Sequence, residues 1–233
     1  MIRINRNLDA PKVLEDEKKK SNGTYNKKEV LDALKIVFNK KCYICENKNV
    51  TSYNIEHLRP HKDENIDLKF SWENLFLACA HCNNIKLANY DNILDCTKVD
   101  VDELISFRKK GNFSWDEKIE IIPLKNSTEI HETVALLQKV YKGTTEMKKL
   151  ECSNIKKELR NEVAKFIDAI NDFNESDGED KEDAKNLISK HLKANSPFAA
   201  FKRWIIRDNS DNLCEFLQED GIKLTFEQNE KAN

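Results

Sequence analysis

Two Cys-x-x-Cys pairs, Cys42-Tyr43-Ile44-Cys45 and Cys79-Ala80-His81-Cys82, constrain this chain more than any other feature. They are separated by 33 residues. Two short knuckles of this kind each present two thiolate sulfurs to one ion. The spacing therefore predicts one structural zinc on Cys42, Cys45, Cys79 and Cys82. The competing uses are a redox pair or buried thiols, and no strand leading into an active-site helix supports the redox motif. A module this short has little apolar surface to bury, and a structural zinc adds roughly 10–16 kcal/mol of apparent binding energy.

Between the knuckles lie Ile55-Glu56-His57-Leu58-Arg59-Pro60 and Trp72-Glu73-Asn74-Leu75, and Asn83 follows the last cysteine directly. In this ordered set, residues 40–88 resemble the HNH endonuclease family in its zinc-stapled form. The resemblance implies a two-stranded ribbon, a loop and one helix around a catalytic divalent metal. It puts Glu56-His57 at the acidic-His pair of the first strand, Asn74 before or on the second strand, and Asn83 at the opening of the helix. Many members carry Asp where this chain has Glu56, which implies a longer or water-bridged metal distance. His61 and His81 stand close by as alternative metal-site residues.

The chemistry explains the residue types without the name. Phosphodiester hydrolysis needs a base to deprotonate water and a cation to neutralise charge on the phosphorane and the leaving oxygen. His57 suits the first role, because an imidazole with pKa ~6.5 is partly neutral at working pH. Glu56 and Asn83 offer the hard oxygen ligands that Mg²⁺ or Mn²⁺ prefers. Neighbours on a strand point to opposite faces, so Glu56 and His57 act together only where the strand ends or bends, and Pro60 stops the ladder just beyond. Asn74 reads as a brace for the loop that carries His57. Arg59 and Lys86, the latter three residues beyond Asn83, read as phosphate contacts.

The rest of the chain divides near residue 127. Residues 1–127 carry 22 Lys and Arg against 20 Asp and Glu, a net +2, and residues 128–233 carry 17 against 21, a net −4. Phosphate neutralisation dominates nucleic-acid affinity, so contact with a polyanion has to come from a local patch or from a partner. No apolar run approaches a membrane span and Met1–Arg6 lacks a signal-peptide core. With zinc thiolates, that predicts a cytoplasmic protein in which Cys96, Cys152 and Cys214 stay reduced.

The expected fold class is α+β: a ββα-metal module within a nuclease domain at 1–127 (core 40–88), followed by an all-α region at 128–233. Ile2 and Ile4 mark a short strand or an extended arm, and Glu15–Lys20 reads as a solvated charge run. Val30, Leu31, Leu34, Ile36, Val37 and Phe38 predict a helix from Asn26. Val50–His57 and Leu75–Ala78 read as paired strands around an acidic loop, and Ala80–Leu87 as the metal-binding helix. Ile93–Cys96 and Lys118–Ile122 look strand-like, whereas Val101–Phe107 reads as a helical turn. Ser127 or Thr128 caps a helix that ends near Gly143. Further helices are predicted over Thr145–Phe173, Glu182–Leu192, Pro197–Arg207 with Ser196 as N-cap, and Asn209–Glu219.

Three functions compete. The leading one is a metal-dependent HNH endonuclease acting on nucleic acid, DNA before RNA. An RNA- or tRNA-cleaving toxin uses the same site chemistry, and a non-catalytic zinc module would keep the four Cys with no use for Glu56-His57 and Asn83. The motif wording and the helical tail are also similar to the PtuB nuclease subunits of Septu and related retron anti-phage systems, which implies an ATPase partner of the ABC/SMC-like class. Phe198, Phe201, Trp204 and Ile205 form a helical stripe beside Lys202, Arg203 and Arg207. That stripe reads either as a docking surface for such a partner or as the core of the helical region.

Overall fold

The computed structural model describes residues 1–62, 64–143, 145–219 and 222–223; the end of the 128–233 region, residues 224–233, lies outside the described residues. Residues 1–8 run as an extended arm whose Met1, Ile2 and Ile4 are buried. The Ile4 N–H donates to the Cys96 carbonyl at 2.8 Å, and the Arg6 guanidinium lies over the rings of Trp72, Phe76 and Phe38 while donating to the Leu75 carbonyl at 2.8 Å. The charge run folds as a short helix, α1 (Val13–Lys18), because Leu14 buries and gives it an inner face. In α2 (Lys28–Val37), Val30, Leu34 and Val37 repeat at helical spacing and are buried.

Strand β1 (Tyr53–His57) pairs antiparallel with β2 (Leu75–Cys79), Tyr53 opposite Cys79 and His57 opposite Leu75. The intervening loop holds one helical turn, α3 (Ile66–Phe70), capped by the Asn65 side chain. All five β2 residues are buried, since α2 and α4 (Ala80–Lys86) both pack against it. A second ribbon follows. Val101–Glu103 forms a helical turn, but Ile105–Lys110 is a strand, β3, paired antiparallel with β4 (Lys118–Pro123). The helical reading of 101–107 was wrong beyond its first three residues: Ile105, Ser106 and Phe107 are all buried, and the run pairs residue for residue with β4. Ile93–Cys96 is not a strand, and its side chains Ile93 and Cys96 simply fill the core.

Helices α5 (Thr128–Lys142), α6 (Glu146–Glu175), α7 (Gly178–Leu192), α8 (Ala199–Asp208) and α9 (Ser210–Glu219) complete the described fold. Ser127 caps α5 and Thr145 caps α6 through their hydroxyls. Helix α8 starts two residues later than the Ser196-Pro197 signal predicts, because Phe198 takes the left-handed conformation, φ 50°. One apolar core draws side chains from both sides of residue 127, Leu34, Phe76 and Ile121 among them with Leu137, Phe201 and Trp204. A smaller core lies among Phe166, Phe173, Ile188 and Phe216.

The aromatic stripe on α8 belongs to these cores. Phe198, Phe201 and Trp204 are buried, and the Trp204 indole N–H bonds the carbonyls of Asp102 and Ile105 at 3.0 and 3.2 Å. Lys202 and Arg207 are buried as well, Arg207 paired with Asp102 at 2.9 Å. The docking reading of this stripe is therefore wrong, because ribbon β3 covers the face that sequence alone leaves open. Trp204→Ala is expected to cost stability by about 3–5 kcal/mol, as other large-to-small core changes do. Chemical denaturation measures it, and a change below 1 kcal/mol would contradict the packing.

Lys202 gives the helical region a pH signature. Its Nζ donates to Glu162 Oε2 (2.9 Å), His191 Nδ1 (2.8 Å) and Ser196 Oγ (3.1 Å), so His191 has to stay neutral at Nδ1. Burial, and then the Lys202 charge, push the His191 pKa below its ordinary value. The unfolded chain thus takes up this proton at higher pH than the folded one, and stability falls as pH drops below about 6.5, by at most about 1.4 kcal/mol per pH unit. His191→Gln is expected to flatten that part of the profile in thermal melts between neutral and mildly acidic pH. An unchanged slope would assign it to another group.

Candidate active site

The four thiols Cys42, Cys45, Cys79 and Cys82 converge. All are buried, and their sulfurs lie within 4.8 Å of one another, Cys45 and Cys79 Sγ at 3.9 Å. Zinc–sulfur bonds of ~2.3 Å set tetrahedral S–S edges near ~3.8 Å, so the spacing suits one zinc. Four buried thiols also share no disulfide, and thiolates packed this closely need a cation to ionise together. Cys79 ends β2 and caps α4, its sulfur accepting from the Cys82 N–H at 3.5 Å. The remaining cysteines, Cys96, Cys152 and Cys214, are unbridged, the first two buried and the third exposed.

His57 is the last residue of β1 and is buried. Its Nε2 lies 3.0 Å from the Lys69 carbonyl, and a carbonyl only accepts, so Nε2 carries the proton and Nδ1 the lone pair. Tyr25 meets the ring edge-on at 4.5 Å and His61 at 4.4 Å between centroids. Burial, opposed by the Lys69 carbonyl and reinforced by His61, lowers the His57 pKa to about 4. The imidazole is therefore neutral at physiological pH. Tyr25 lies outside the motif and carries no sequence signal for this contact, which the turn before α2 creates at long range.

Asn74 holds the loop around His57. Its Oδ1 accepts from the Arg59 N–H at 2.8 Å, and its Nδ2 donates to the Arg59 and Leu68 carbonyls at 2.9 and 3.0 Å. Arg59 in turn donates from Nη1 to the Asp91 and Ile93 carbonyls. That bonding ties the loop to the segment before α5 instead of aiming this nitrogen at solvent.

Glu56 reaches toward α4, where Oε1 meets Lys86 Nζ at 3.0 Å. Burial raises the Glu56 pKa against the opposing Lys86 charge. Lys86 is fully buried, and its ammonium also donates to the His57 carbonyl at 2.8 Å. The phosphate-contact reading of Lys86 is thus corrected: a buried ammonium with these acceptors neutralises Glu56 and braces the end of β1. Asn83 sits one turn before Lys86, on the same face of α4. Its Oδ1 is buried and has no hydrogen-bond partner among the described residues. An orphaned acceptor costs about 1–3 kcal/mol unless something fills its place, and a hard cation would. His81 is not part of this group. Its Nδ1 and Nε2 meet Glu151 Oε2 (2.7 Å) and the Val140 carbonyl (3.0 Å), fastening α4 to α5 and α6.

Among the described residues, no helix is long and apolar enough to cross a membrane. No curated protein and no solved structure matches the chain. The segment that carries β1, β2, α4 and the four thiols, residues 42–88, matches the family model of the HNH endonucleases.

Proposed function

We propose that this protein is a metal-dependent endonuclease that hydrolyses phosphodiester bonds of nucleic acid, with DNA as the favoured substrate. The observation that carries the reading is the buried, partnerless Oδ1 of Asn83 on the helix face that meets Glu56. Glu56 and Asn83 would hold Mg²⁺ or Mn²⁺, which when bound supplies positive charge for the phosphorane and the leaving oxygen. His57 takes the proton of the attacking water at Nδ1, because its Nε2–H is committed to the Lys69 carbonyl. A phosphodiester anion beside the ring favours the imidazolium as it forms, which offsets the depressed pKa. Asn74 keeps the loop from shifting under that ring. Cys42, Cys45, Cys79 and Cys82 would hold a zinc that fixes the start of α4 and stands outside the chemistry.

The motif wording supports a narrower role as the nuclease subunit of a cytoplasmic anti-phage complex with an ABC/SMC-like ATPase. Incubation of purified protein with Mg²⁺ and either plasmid DNA or tRNA tests the activity, with and without the candidate ATPase. Plasmid nicking or linearisation is the expected result. Cleavage of tRNA alone would make it an RNA nuclease, and cleavage of neither under any pairing would leave a zinc-binding interaction module.

A further inference from the structure

Among the described residues, the large exposed aromatics Phe113 and Trp115 lie on the loop of the β3–β4 ribbon. Phe113 and Trp115 are 54% and 80% exposed, and their rings stack in parallel, centroids 4.5 Å apart with an interplanar angle of 6°. The loop that presents them is firmly built. The Phe113 N–H donates to Asp116 Oδ1 at 2.8 Å, and Gly111 takes φ 82° at a point where a Cβ would strike the Asp116 carbonyl at 2.5 Å. The Glu117 carboxylate, almost fully buried, pairs with Arg160 on α6 at 3.0 Å and anchors the loop from below. Such a turn spends structure on holding two large apolar rings in water, at the outer end of the ribbon.

The ribbon beneath the rings carries a second oddity. Its last cross-strand pair before the loop is Lys110 opposite Lys118, both exposed. Like charges directly opposite each other destabilise an antiparallel pair, and among the described residues Lys110 alone of the two is offset, by Glu120 at 2.6 Å. Stacked aromatics above paired cations are the combination that binds unpaired bases: a ring face takes the base and the ammonium groups take the flanking phosphates. Phe113 covers one face of the Trp115 indole and leaves the other open.

We propose that the β3–β4 tip is a binding site for single-stranded nucleic acid, with Trp115 stacking on an unpaired base and Lys110 and Lys118 contacting its backbone. The choice of nucleic acid as occupant rests on the nuclease reading, and the site would hold a frayed or displaced strand while the HNH module cuts. It would also give a chain of net charge −2 a local contact for phosphates.

Intrinsic fluorescence tests this without any cleavage. Trp72 and Trp204 are buried, so a solvent-exposed indole signal comes from Trp115. His57→Ala protein is titrated with oligothymidylate longer than the roughly 16 nucleotides one such site spans, and binding is followed separately by anisotropy of a labelled copy. Quenching of the exposed emission in step with binding is expected, with a weaker response to blunt duplex. Trp115→Ala is expected to weaken binding roughly 5- to 100-fold. Lys110→Gln with Lys118→Gln should lower the slope of log affinity against log salt by about 1.4. Bound oligonucleotide with unchanged emission overturns the site, as does wild-type affinity in Trp115→Ala or an emission that answers only to a protein partner. None of these outcomes bears on plasmid cleavage by the wild-type protein. Loss of that cleavage reading with quenching intact would leave a nucleic-acid-binding module.

Discussion

Cys79→Ser is expected to abolish zinc binding and to unfold the segment from Cys42 to Lys86. Three roles fall on this one residue: metal ligand, last residue of β2 opposite Tyr53, and N-cap of α4. The apparent binding energy of a structural zinc, roughly 10–16 kcal/mol, equals or exceeds the whole stability of an ordinary domain at about 5–15 kcal/mol. Serine keeps a cap for the helix but offers no thiolate, so the loss falls on the metal. Because Leu75, Phe76 and Leu77 sit in a core shared with α5 and α8, the helical part should survive with a lower melting temperature. Elemental analysis and thermal melts measure the two effects. Well-folded wild-type protein that contains no zinc would refute the assignment.

His57→Ala should leave fold and zinc intact while slowing hydrolysis by about 10²–10⁴-fold, the usual worth of a positioned base. Among the described residues the ring makes one hydrogen bond, to the Lys69 carbonyl, and edge contacts with Tyr25 and His61, so its removal opens a small gap and strands that carbonyl. Asn83→Ala is expected to differ in kind, by raising the Mg²⁺ concentration needed for half-maximal rate with less effect at saturation. A wild-type rate in His57→Ala would move the base to His61, whose ring lies 4.4 Å away.

What the sequence made legible was local. Cys-x-x-Cys spacing encodes a metal geometry within a few residues, and the strand–strand–helix order of β1, β2 and α4 follows from the residues between and behind the two cysteine pairs, whereas the helical turn α3 in the intervening loop was not expected. The errors come from contacts between distant segments. Lys86 looked like a phosphate ligand because an exposed-type residue on a metal-binding helix gives no hint that Glu56, thirty positions earlier, will enclose it. Phe201 and Trp204 looked like a free stripe because β3, which covers them, read as a helical turn. Trp115 drew no notice, since periodicity marks core aromatics and has no symbol for one held out in water.

The last thiol of the cluster and the amide whose Oδ1 has no partner among the described residues are neighbours in the chain, Cys82 then Asn83. With zinc bound, the bearing of the amide would therefore be set by a tetrahedron of sulfurs one peptide bond away, together with the His81 and Lys86 bonds that fasten α4. Coordination bonds are stiffer than apolar contacts, so the site has a reference point that small shifts in the surrounding core do not move. Conversely, on the proposed nuclease reading, a chelator that strips the sulfurs would stop hydrolysis without reaching a second cation. Emptying the sulfur clamp would unfold α4 with the rest of the Cys42–Lys86 segment and scatter the amide, while the helical part stayed folded.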